Sequence, residues 1–140
     1  MKIGLGSSEG GKYLKEKIKA DLLEKGYEVI DNLNKGNDIF DVSCRISEAV
    51  TNGEIDKGII LDDYGIAPFM ICLKHKGLVC AQVADEHSAK MTRDHNNTSI
   101  ITIGYEITGE ALAKSICGIF AESDYSGGRH QVRVDMLNKM

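Results

Sequence analysis

The chain has 140 residues, 42% of them hydrophobic and 27% charged, so residues 1–140 are expected to form one globular domain that needs no metal or disulfide staple. Seventeen Lys and Arg against 21 Asp and Glu leave a net charge of −4, which excludes a general nucleic-acid binder but not a local basic pocket. No window approaches the ~18 unbroken apolar residues of a membrane span, and the Gly-rich start is too short for a signal peptide, so a soluble cytoplasmic protein is expected.

Lys2 to Gly6 reads as a short strand that ends in glycine. Leu14, Ile18 and Leu22 then recur every four residues, one stripe of a helix that Gly26 ends. Tyr27 to Ile30 is the second strand. Val42, Ile46, Ala49 and Val50 mark the next helix, with Asp38 or Asp41 near its start and Asn52-Gly53 at its close. Gly58-Ile59-Ile60-Leu61 is a continuous apolar run, as in a strand covered on both faces. Gly65 to Lys74 reads as a helix with Pro68 in its first turn, and Leu78 to Val83 as a fourth strand. A polar helix from Glu86 to Asp94 precedes a fifth strand from Ser99 to Ile103. Thr108 is expected to cap a helix with the stripe Leu112, Ile116, Ile119 and Phe120. A last helix over Arg129 to Lys139 has Val132, Met136 and Leu137 on one side.

This alternation of strand and helix predicts a five-stranded parallel sheet with helices on both faces, a Rossmann-like three-layer α/β/α sandwich. Ligands of such sheets sit beyond the carboxyl ends of the strands. The residues placed there are Ser7-Ser8-Glu9, Asp62-Asp63-Tyr64-Gly65, Asp85-Glu86 and Gly104-Tyr105-Glu106.

Gly4-Leu5-Gly6 followed by Gly10-Gly11 does not have the spacing of a dinucleotide loop. Cys44, Cys72, Cys80 and Cys117 stand apart in apolar settings and read as reduced core thiols. His75, His87, His95 and His130 lack metal-ligand spacing, so no structural zinc is expected.

Three segments carry possible chemistry. In Thr92-Arg93-Asp94-His95-Asn96-Asn97, His95 is either an acid–base group near neutral pH or part of a helix C-cap, with Asn96 or Asn97 left-handed. In Gly127-Gly128-Arg129-His130-Gln131-Val132-Arg133, Arg129 and Arg133 lie four apart on one helix face. They are either a forked phosphate clamp or two solvated surface residues. Asp62-Asp63, ending the buried strand, is either an acid–base or metal pair or a helix N-cap.

Taken together and in order, these three segments resemble the ribose-5-phosphate isomerase type B / galactose-6-phosphate isomerase family, in register over nearly the whole chain. The ending from Gly128 to Met140 is similar to that of the A-type subunit of the family's heteromeric members, as is Met91 to Asn97. The resemblance implies aldose–ketose isomerisation of a sugar phosphate through an enediolate, with no cofactor and no metal. His95 then matches the ring-opening histidine, Asn96 a substrate contact, and Arg129 and Arg133 the phosphate-binding arginines.

Departures from the family pattern are equally specific. Single-subunit members end the third strand in Cys-Gly-Thr-Gly, whose cysteine is the proton-transfer base; Asp62 stands in its place. A dipole at the following helix is expected to favour the charged form of Asp62 and weaken it as a base. Ser8 and Glu9 replace an Asp-His pair, and Glu106 replaces an arginine. The family builds each site between two subunits. The resemblance therefore implies that this chain lends His95, Asn96, Arg129 and Arg133 to a cysteine-bearing homologue, the B-type subunit. The substrate would be D-galactose 6-phosphate and the product D-tagatose 6-phosphate, with a dimer or tetramer when the chain is alone. The alternatives are a self-sufficient homodimer with Asp62 as base, or an inactive sugar-phosphate-binding regulator.

Overall fold

The computed structural model describes residues 1–31, 33 and 38–140. Along the chain run β1 (Lys2–Ser7), α1 (Lys12–Glu24), β2 (Glu28–Ile30), α2 (Ile39–Thr51), β3 (Lys57–Asp62) and α3 (Ile66–Cys72). Then come β4 (Cys80–Gln82), α4 (Glu86–Asn96), β5 (Ile100–Gly104), α5 (Glu110–Glu122), a 3-10 turn (Gly128–His130) and α6 (Gln131–Lys139). The strand order is β2-β1-β3-β5-β4, and every pairing is parallel.

Each central strand splits its side chains between two cores, because successive residues of a strand point to opposite faces. Ile59, Leu61, Ile101 and Ile103 pack with Ile3 and Leu5 against α1 and α5. Ile60 and Ile100 point the other way, against Val42 and Ile46 of α2 and Cys72 of α3. This is the expected three-layer parallel sandwich.

Several local expectations need correction. Thr108 does not cap α5: Gly109 is the N-cap, and the Thr108 side chain is buried. The turn 104–108 is already closed by backbone bonds, including Thr108 N–H to the Gly104 carbonyl, which draws Thr108 inward. α4 runs on to Asn96, so His95 lies in its last turn. The final segment begins as a 3-10 turn, and the buried residue of α6 is Val134. Val132, Met136 and Leu137 are all exposed. Cys72, Cys80 and Cys117 are buried free thiols, whereas Cys44 is only partly buried.

Lys57, at the amino end of β3, is almost fully buried. Its ammonium donates to the Phe120, Ala121 and Ser123 carbonyls at 2.8–2.9 Å, satisfying groups that the end of α5 leaves orphaned. Burial, with the nearby Arg93 charge, pulls its pKa down to about 8. Lys57→Met keeps the aliphatic stem but strands these carbonyls. It is expected to cost about 2 kcal/mol, lowering Tm by roughly 6 °C in thermal denaturation. An unchanged Tm would show that the cap carries no stability.

Candidate functional site

The candidate residues occupy two opposite edges of the sheet. In a parallel sheet each helix returns the chain to the edge where strands begin. The end of α4, followed at once by β5, therefore sits at the amino edge. Asn97 closes α4 in the left-handed conformation, φ 54°, with its N–H on the Thr92 carbonyl. Arg93 braces this end, donating to Asn97 Oδ1 at 2.7 Å and to the Thr98 carbonyl at 3.0 Å.

The chain leaving α5 is fastened to the same place. Ser126 donates from both its backbone N–H and its hydroxyl to the Asp94 carbonyl, each at 3.1 Å. Gly127 and Gly128 both have positive φ, 62° and 56°, and turn the chain into the 3-10 turn. L side chains rarely adopt that conformation, so two glycines here have a steric cause. The turn stacks His130 on His95, ring centroids 4.3 Å apart and planes 14° from parallel. Arg129 and Arg133 line one cavity with His130 and Val132. His130 is held below the ordinary imidazole range by desolvation first, then by the charges of His95 and Arg129.

The structure thus brings His95 into the same cationic edge as Arg129 and Arg133, with Asn96 exposed beside it. His95 is 40% exposed at its side chain, and its Nε2 lies 3.8 Å from Asp94 Oδ2. Both arginines are exposed, and among the described residues no carboxylate forms an ion pair with either. Two unpaired guanidiniums beside an imidazole can bind a phosphate dianion and exchange a proton with a neighbouring oxygen.

Asp62 is at the other edge. It is the last residue of β3, whose first residue is Lys57 at the amino end. Five residue steps at ~3.3 Å each put these ends about 17 Å apart. His95, Asn96, Arg129 and Arg133 thus gather at the amino edge, away from the residues that follow the strand ends. The expected weakening of Asp62 by a helix dipole is corrected. Gly65 is the N-cap of α3, three residues beyond Asp62. Burial pushes the Asp62 carboxyl up, the Asp63 charge adds to this, and the Asp63 and Tyr64 backbone groups only partly offset it.

Residues 3–137 match the profile of the ribose/galactose isomerase family. The chain belongs to that family. It is 50% identical over 140 residues to galactose-6-phosphate isomerase subunit LacA of Lactococcus lactis subsp. lactis, covering 100% of this chain and 99% of that protein. The subunit of the same name from Clostridium acetobutylicum is 46% identical over 141 residues, with the same coverage. Among solved structures, ribose-5-phosphate isomerase B of Clostridium thermocellum superposes with a TM-score of 0.93 at 36% identity, covering 99% and 96% of the two chains. The Thermotoga maritima enzyme gives 0.92 at 29% identity, covering 99% and 98%.

Membership of the ribose/galactose isomerase family makes this chain one of a set of sugar-phosphate isomerases. Among the described residues no three His, Cys, Asp or Glu side chains gather as a metal site would require. No helix of the described residues is long and apolar enough to cross a membrane. Sequence reasoning missed His130, Ser126 and the Asp94 carbonyl as the groups that assemble the edge. A signal for the edge itself was present, since a segment that ends a helix just before a strand must lie where strands begin.

Proposed function

We propose that this chain is the A-type subunit of a heteromeric aldose–ketose isomerase that converts D-galactose 6-phosphate to D-tagatose 6-phosphate. The observation that carries this reading is the placement of the two half-sites on opposite edges. A phosphosugar held by Arg129 and Arg133 is far from the chain's own strand-end position, so the base must come from another chain. The names of the relatives, which call them subunits, agree with this.

In the proposed site Arg129 and Arg133 hold the 6-phosphate, and Asn96 contacts the sugar. His95 gives a proton to the ring oxygen as the O1 hydroxyl loses one, which opens the ring to the aldehyde. A cysteine thiolate of the partner subunit then removes the proton from C2. The C2 electron pair forms the C1=C2 bond of the enediolate, and O1 takes the negative charge. Return of that proton from the thiol to C1, with the O2 proton passing to O1, gives the ketose and restores the thiolate.

Assembly has a physical motive in two apolar faces. Ile66 and Met70 on α3 and Leu73 at its C-cap are exposed, as are Val132, Met136 and Leu137 on α6. Surfaces of this kind mark contacts between chains, and a lone chain is expected to self-associate through them as a dimer or tetramer.

One observation favours the self-sufficient homodimer: burial raises Asp62 toward a useful base strength. Assays of galactose 6-phosphate turnover with this chain alone, and with a cysteine-bearing homologue, separate the two. Activity of the lone chain that disappears in Asp62→Asn would establish the homodimer. The phosphate assignment has its own test. Arg133→Ala removes a charge-assisted contact worth about 1.5–3 kcal/mol, so KM should rise roughly 10- to 100-fold in the complete enzyme. An unchanged KM would reject the clamp.

A further inference from the structure

The ring that faces His95 takes no part in the proposed reaction steps, yet its seating is over-determined. Ser126 ties the chain to the Asp94 carbonyl through its N–H and its hydroxyl, each at 3.1 Å. Gly127 and Gly128 then turn the chain with positive φ, and the His130 N–H bonds the Gly127 carbonyl at 3.1 Å. The outcome lays the His130 imidazole over that of His95, centroids 4.3 Å apart and planes 14° from parallel.

His95 needs such a neighbour. It stands in the last turn of α4 with its side chain 40% exposed. Among the described residues no hydrogen bond fixes its ring; Asp94 Oδ2 is 3.8 Å from Nε2, outside hydrogen-bond reach. An imidazole free to rotate about its two side-chain torsions could turn to close that gap, spending Nε2 on the carboxylate. A flat ring lying on its face restricts that rotation and leaves the Nε2 edge open.

The stacked partner also has a suitable charge. His95 gains and loses a proton in the proposed ring opening, and two cationic rings face to face would repel. His130 is held below the ordinary imidazole range by desolvation first, then by the charges of His95, Arg129 and Arg133, with Asp94 opposing. Near neutral pH the ring against His95 is therefore uncharged, and an uncharged aromatic face tolerates a cation beside it.

We infer that His130 is a positioning residue: its ring, stacked on His95, holds the His95 imidazole with Nε2 free of Asp94 and open to the sugar ring oxygen. This rests on the isomerase reading above.

The experiment compares His130→Phe, which keeps a flat ring but cannot titrate, with His130→Ala, which removes the face, each assembled with the cysteine-bearing homologue. His130→Ala is expected to lower kcat on galactose 6-phosphate roughly 10- to 100-fold, since a misplacement of ~1 Å can cost about 10² in rate. KM should stay within about twofold, because the phosphate clamp is untouched. His130→Phe should keep kcat within roughly threefold of the parent, because the aromatic face remains. In the lone chain, proton NMR reads the contact without turnover. The His95 ring protons, shifted upfield by the facing ring, should move downfield in His130→Ala and stay shifted in His130→Phe. Parent-like kcat in His130→Ala would overturn the inference. So would an equal loss of kcat in both variants, a rise in KM with kcat unchanged, or His95 protons that do not move in His130→Ala. A parent assembly with shifted His95 protons but no turnover would instead sink the isomerase reading, and with it the role given to the stack.

Discussion

Purified alone, this chain is expected to turn over galactose 6-phosphate at least ~10²- to 10⁴-fold more slowly than when mixed with a cysteine-bearing homologue, the range a positioned base supplies. The cationic edge holds His95, Arg129 and Arg133, and Asp62, the carboxylate that ends β3 of the same chain, is on the opposite edge. A second copy could bring its Asp62 to this edge, but that carboxylate stands where the resemblance implies a cysteine base. Turnover recovered on mixing, and saturating at equal amounts of the two chains, is the expected result. Robust activity without the homologue would overturn it.

His95→Ala in the assembled enzyme is expected to lower kcat on the cyclic substrate by roughly 10²- to 10⁴-fold, as loss of a general acid–base group does. KM should change little, because the phosphate is held by Arg129 and Arg133 rather than by the imidazole. Stability should also change little. The side chain is 40% exposed, and its ring contact is a stack with His130 at the surface of the edge. Surface truncations of this kind stay within about 0.5 kcal/mol, or roughly 2 °C in Tm. A variant that loses its fold while the surviving fraction turns over normally would make His95 a structural residue.

Sequence by itself determined the layers of this protein and the content of its candidate site. Gly58 to Leu61 is apolar throughout because β3 is covered on both faces, and that property is local. The stripes Leu14-Ile18-Leu22 and Val42-Ile46-Ala49 are likewise local, and each became the buried side of its helix. The three polar segments stood out because His, Arg and Asp between apolar runs have few structural uses.

Tertiary structure alone decided which of those segments meet. Thr92–Asn97 and Gly127–Arg133 join at one edge through the Ser126 bonds to Asp94 and the His95–His130 stack, contacts between segments that no period in the chain records. Asp62 was separated from them by the length of β3. α6 shows the same limit. Its apolar spacing put Val132, Met136 and Leu137 on one side, and that side is exposed while Val134 is the residue that packs. The direction of the helix is set by the 3-10 turn at Gly128–His130, and that turn follows from the docking of Ser126. Periodicity reports the environment of a residue along its own element. Which elements are neighbours, and at which edge, is settled only when the sheet closes its hydrogen bonds and the helices cover it.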